Sequence, residues 1–81
     1  MYNSKITTWA AQNLDVGRRT QFLRELPGFV GISASAVSNH WNGRSKVRPE
    51  LAKRYVDYLV SNGHNVSIDD IFTPVPIPEH A

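Results

Sequence analysis

The sequence predicts an all-α fold of five short helices in one domain, residues 1–73, followed by an extended proline-rich tail at 74–81. Two observations predict this fold. Apolar residues recur at helical spacing in five segments, and each segment begins and ends next to a cap residue, a glycine or a proline. A chain of 81 residues with 41% hydrophobic and 20% charged residues is typical of one small globular domain. No segment has a convincing strand pattern, although residues 66–68 or 74–78 could add a short strand, particularly across a dimer axis.

The first predicted helix covers residues 4–13, with Ile6, Trp9 and Ala10 on one apolar face. Asn3 or Ser4 can cap its first turn, because their side-chain oxygens can accept hydrogen bonds from free backbone N–H groups.

The second predicted helix covers residues 18–26, and the sequence predicts that it ends before Pro27-Gly28. Proline has no N–H to donate inside a helix, and glycine next to it favours a turn. This interpretation leaves a long connection, residues 28–32, before the next helix.

The third predicted helix covers residues 33–41, with Ser33 as its N-cap and Asn42-Gly43 after its end. Val37 and Trp41 lie four residues apart and should face the core. The outward face should then carry small or hydrogen-bonding side chains and no acidic one, namely Ala34, Ser35, Ser38 and Asn39.

Two more helices complete the predicted domain. Pro49 suits the first position of the fourth helix, and Asn62-Gly63 should end it. Ser67 should begin a last short helix, where Asp70 three residues later resembles a capping box.

Charge is unevenly distributed along the chain. The net charge is only +2, but residues 18–54 hold eight of the nine basic residues and two of the seven acidic ones. Residues 55–81 contain four acidic residues and no lysine or arginine. This asymmetry indicates one face for an anionic polymer and another kept away from it, although a solvated surface with chance clustering explains the charge alone equally well.

Residues 31–43, with the sequence GISASAVSNHWNG, resemble the recognition helix of Cro and repressor-type helix-turn-helix proteins of phages and prophages, the lambda-repressor-like family. The resemblance covers roughly residues 4–73 and departs from the family pattern where residues 27–30 lengthen the turn. It implies a sequence-specific transcriptional regulator that binds operator half-sites on double-stranded DNA as a homodimer. The recognition helix would lie at about 33–41 in the major groove.

The resemblance and the residue chemistry together assign candidate DNA contacts. Side chains of the outward face would read base edges, with asparagine suited to adenine. These base-reading candidates are Ala34, Ser35, Ser38 and Asn39. The phosphate-binding candidates are Arg18, Arg19, Gln21, Asn42, Arg44, Lys46 and Arg48. Ordinary solvated surface residues are the alternative explanation for both groups.

The predicted dimer interface is the apolar C-terminal part, namely Ile68, Ile71, Phe72, Val75 and Ile77. The alternative is that Ile68, Ile71 and Phe72 close the core of a single chain. A protein-binding module, such as an antitoxin or an anti-repressor on the same scaffold, is the alternative function.

The sequence favours neither an enzyme nor a metal or cofactor site. Ser38 and His40 are two residues apart on a predicted helix and face different sides, and no histidine or carboxylate spacing suggests a metal. With no cysteine, no membrane-spanning apolar run and no signal peptide pattern, we expect a protein of the bacterial host cytoplasm, associated with the nucleoid and without a membrane or small-molecule partner.

Overall fold

The computed structural model describes residues 1–75, and that part of the chain is mostly helical with one small sheet. In chain order the elements are β1 Tyr2–Ser4, α1 Ile6–Asn13, α2 Val16–Val30, α3 Ala34–Trp41, α4 Pro49–Ser61, α5 Ile68–Ile71 and β2 Phe72–Pro74. The predicted helical class and the presence of five helices are confirmed for this part. The all-α class is corrected by the two short strands, which the sequence placed only as a possibility at 66–68 or 74–78 and which the structure has at Tyr2–Ser4 and Phe72–Pro74.

The sheet joins the two ends of the domain. β1 and β2 pair antiparallel, with Tyr2 opposite Pro74 and Ser4 opposite Phe72. α1 therefore begins at Ile6, two residues later than predicted, and the Ile6 N–H donates to Ser4 Oγ at 3.2 Å. Because the paired residues are far apart in the chain, no local sequence pattern predicts that they pair.

α2 is longer than predicted, since it continues through Pro27 to Val30. Phe22, Leu26 and Val30 are spaced by four residues and are each about 1% exposed, so they form one buried stripe. A helix that ended at Leu26 would lose the burial of Val30. Burial of a valine side chain contributes about 1.5–3 kcal/mol to the free energy of unfolding. That contribution is similar to the cost of about 3 kcal/mol for proline in a helix.

The core lies between the helices, and the C-terminal segment covers one side of it. α2 packs against α3 and α4, and α5 packs against α1 and α4. Ile71 and Phe72 are 0% and 1% exposed. These two residues therefore close the core of a single chain, and their assignment to a dimer interface is corrected because they offer no surface to a partner.

The local signals of the last three helices are confirmed. Ser33 caps α3, Pro49 is the first residue of α4, and Ser67 and Asp70 form a capping box at α5. Across residues 1–75, none of the helices has the length and apolar character that crossing a bilayer requires.

Candidate nucleic-acid interface

The turn between α2 and α3 has three residues, Gly31, Ile32 and Ser33. Gly31 has a φ of 84°, the left-handed conformation that glycine adopts without strain, and its N–H donates to Pro27 O at 2.8 Å. The Ile32 N–H donates to the same oxygen at 3.2 Å. The long connection predicted from Pro27-Gly28 is therefore wrong, and the two helices are joined by a turn of the length that helix-turn-helix units use.

Contacts from both sides fix this turn. Arg54 of α4 donates from Nη1 to Val30 O at 2.8 Å, so it binds a carbonyl left free at the end of α2. Ser33 Oγ accepts the Ala36 N–H at 3.1 Å at the start of α3. No pattern in the sequence assigns this role to Arg54, because it depends on the packing of α4 against α2.

The inward face of α3 holds the helix against the body of the domain. Val37 and Trp41 are buried, as predicted, and His40 is buried with them at 8% exposure. His40 Nδ1 and Tyr55 Oη of α4 form a hydrogen bond of 2.8 Å, and burial lowers the pKa of His40. The sequence interpretation missed this contact, although the spacing of residues 37, 40 and 41 already puts His40 on the buried side.

The outward face of α3 carries the four base-reading candidates. Ala34 and Ser35 in the first turn are exposed, and Ser38 and Asn39 in the second are half-buried. Asn42 follows on the same side, where its Nδ2 donates to Ser38 O at 2.9 Å and approaches Ser38 Oγ at 3.4 Å. Asn42 thus caps the end of α3, and its Oδ1 is the atom left for another contact.

The N-terminus of α2 carries Arg18 and Arg19 beside the acidic N-cap Asp15. Asp15 Oδ1 accepts the Arg18 N–H at 2.7 Å, and Asp15 O accepts from Arg19 Nε at 3.4 Å. A phosphate here would interact with the arginine side chains, because the aspartate already neutralises the positive end of the helix.

Gln21 is held away from that end. Its Nε2 donates to Glu25 Oε2 at 3.2 Å, and Tyr58 Oη donates to Glu25 Oε1 at 2.7 Å. The Tyr58 hydrogen bond lowers the pKa of Glu25. The predicted phosphate contact of Gln21 would therefore compete with a bonded carboxylate.

The segment between α3 and α4, residues 42–48, forms a basic loop with Arg44, Lys46 and Arg48 exposed. Val47 in its middle is fully buried and pairs with Tyr2 through an isolated antiparallel bridge. The loop is thus anchored to the core while its charged side chains remain in solvent.

Of the remaining predicted interface residues, Ile68 and Val75 are half-buried, and Ile77 lies outside the described residues. Val66 is half-buried close to Ile68 in the sequence. A partner surface at this end would thus involve fewer residues than the sequence suggested.

Comparison with protein-family models, with curated proteins and with solved structures found no match. The resemblance of residues 31–43 to Cro and repressor proteins therefore rests on those residues and their geometry alone.

Proposed function

We propose that this protein is a sequence-specific transcriptional regulator that binds operator half-sites on double-stranded DNA, with α3 as the recognition helix in the major groove. The observation that carries the proposal is the turn of three residues between α2 and α3, with Gly31 in the left-handed conformation. A turn of this length with a glycine is typical of helix-turn-helix units, in which the second helix enters the groove, and this likeness supports the proposal.

The side chains of α3 support the same proposal. Ala34 and Ser35 leave the first turn free of bulk, so the helix backbone can approach base edges closely. Asn39 can form two hydrogen bonds with adenine, and alanine can contact the methyl group of thymine. α3 contains no acidic residue that would repel phosphate.

The charge around α3 also supports DNA as the ligand. The basic loop contributes Arg44, Lys46 and Arg48, all exposed, and the start of α2 contributes Arg18 and Arg19. Such contacts to phosphate orient a protein on DNA, while base contacts provide sequence preference.

We further propose that the chain binds as a homodimer, since a single helix reads only a few base pairs and two half-sites one turn apart suit a twofold protein. Within residues 66–75, the described part of the C-terminal end, Val66, Ile68 and Val75 are apolar and partly exposed. The acidic side chains of Asp69 and Asp70 on this end would favour its pointing away from DNA.

Selection of bound sequences from random duplex DNA tests the proposal directly. We expect a palindromic consensus with half-sites about one helical turn apart. Binding of all sequences with equal affinity, or no retention on DNA together with a stoichiometric protein partner, would contradict it. The second result would favour the alternative of an antitoxin or anti-repressor module.

Two matched pairs of variants distinguish the contribution of base contacts from that of phosphate contacts. Asn39→Ala should weaken binding to the selected operator by about 1–3 kcal/mol and leave non-specific binding nearly intact. Asn65→Ala, in the exposed loop before α5, is its control. Arg44→Ala should weaken binding to all sequences and lower the salt slope by about one, whereas Arg24→Ala on the exposed side of α2 should not.

A further inference from the structure

The strand β1 lies between β2 and the basic loop and bonds to both. The Tyr2 N–H donates to Val47 O, and the Val47 N–H donates to Tyr2 O, each at 2.8 Å. On the other side, Val75 N–H donates to Met1 O at 3.0 Å and Lys5 N–H donates to Ile71 O at 2.8 Å. Because backbone groups of successive strand residues point to opposite sides, those of Tyr2 and Ser4 face the loop, and Tyr2 bonds to it through both its N–H and its C=O.

This bridge determines how the charges of the loop are presented. Side chains alternate along an extended segment, so the neighbours of a buried residue point outward. Val47 is fully buried, while Lys46 and Arg48 on either side of it are exposed. The two cations therefore share the outward side of the loop as long as Val47 remains paired with Tyr2.

The same N-terminal segment also holds the end of α3. Thr7 Oγ1 donates to Trp41 O at 2.6 Å, and this carbonyl belongs to the last turn of α3, where no helical N–H is available to it. Gly43 has a φ of 75°, and a Cβ on it would lie 3.2 Å from Ser4 O. Residues 1–7 thus contact the loop at its beginning and near its end.

From this geometry we propose that residues 1–7 form an N-terminal strap that positions the basic loop on the DNA backbone, with Tyr2 and Thr7 as its positioning residues. The inference rests on the DNA-binding function proposed above. The strap touches the loop and the end of α3 and leaves the outward face of α3 free. It therefore governs the number of phosphate contacts and leaves the preference for one base sequence unchanged.

The test compares Tyr2→Pro with Tyr2→Ala. Both variants lose the tyrosine side chain, but only proline also removes the N–H that donates to Val47 O. The measurement is the slope of log K against log salt concentration for a duplex containing the selected operator. Each phosphate contact contributes about 0.9 to this slope.

We expect Tyr2→Pro to flatten the slope by about two, because Lys46 and Arg48 lose their common orientation, while Tyr2→Ala keeps the slope of the parent. The ratio of operator to non-specific affinity should be the same in all three proteins. A role in stability alone would change the melting temperature and the folded fraction of both variants but would leave both slopes at the parent value.

Thr7 provides a second pair should Tyr2→Pro fail to fold. Thr7→Val removes the hydroxyl bound to Trp41 O and should flatten the slope by about one, whereas Thr7→Ser should restore it. Thr8→Val, the same change at the next exposed position of α1, is the control and should have no effect.

The outcomes separate the inference from the proposed function. If the parent protein binds DNA but the salt slope is equal for Tyr2→Pro and Tyr2→Ala, or for Thr7→Val and Thr7→Ser, the role of the strap is refuted and the proposed function is not. A parent protein without salt-dependent binding to DNA overturns the proposed function, and the inference with it.

Discussion

Two glycines three residues apart should respond in opposite ways to substitution by alanine. Gly28 lies inside α2 without a positive φ, and a Cβ built on it meets nothing within 4 Å. Gly31 follows the helix with a φ of 84°, and a Cβ there would meet Arg54 Nη1 at 3.7 Å, an ordinary contact distance. The difference between the two sites is therefore one of backbone conformation.

The magnitudes follow from these conformations. Alanine is more favourable than glycine by about 0.8–1 kcal/mol inside a helix, so Gly28→Ala should stabilise the protein by up to that amount. A left-handed conformation costs a residue with a Cβ about 1–2 kcal/mol, so Gly31→Ala should destabilise it. In a domain of this size, each 1 kcal/mol shifts the melting temperature by about 4–8 °C.

Thermal unfolding followed by far-ultraviolet circular dichroism measures both shifts against the parent protein. We expect Gly28→Ala to melt at a higher temperature than the parent and Gly31→Ala at a lower one. A lower melting temperature for Gly28→Ala would refute the reasoning, because it would mean that α2 ends before residue 28. The turn would then be longer than three residues, and the observation behind the proposed function would be lost.

Three further changes test other parts of the structure. Burial lowers the pKa of His40, so on acidification the unfolded chain takes up its proton at a higher pH than the folded protein does. The free energy of unfolding should therefore be at its full value above about pH 6.5 and should fall as the pH drops through that value toward the pKa of the folded state. The melting temperature should decline in the same range, and His40→Gln should reduce this decline. Ser33→Ala should cost about 1 kcal/mol in urea unfolding by loss of the α3 N-cap, while Ser35→Ala, exposed and without a capping bond, should stay within about 0.5 kcal/mol of the parent. Ile71→Val should lower the free energy of unfolding by about 0.5–1.5 kcal/mol at every protein concentration, because Ile71 is buried within one chain. A loss of stability that increases on dilution would contradict this and indicate that Ile71 lies in a dimer interface.

The features that local chemistry determines could be predicted from the sequence. Ser33 as the N-cap of α3, Pro49 at the start of α4 and the capping box of Ser67 and Asp70 depend on residues at most a turn apart. The burial of Val37 and Trp41 follows from their spacing of four residues. These signals were sufficient to predict the helical class and the body of α3.

The candidate site was predicted unevenly for the same reason. Its outward residues follow from the faces of α3, which the sequence alone specifies. His40 and Tyr55, by contrast, meet across two helices, and Thr7 reaches Trp41 from a third. No pattern within either partner's own segment identifies the other, so these contacts appear only when the helices are packed.

The sequence by itself therefore determined which residues of α3 face outward, while the tertiary structure decided how α3 is joined to α2. Proline at position 27 is a strong local signal for a helix end, yet α2 continues to Val30. The burial of Val30 in the core, the bond from Arg54 to its carbonyl and the left-handed Gly31 stabilise the longer helix. The bond from Arg54 depends on α4, because Arg54 lies 24 residues further along the chain than Val30 and is brought to α2 only by folding.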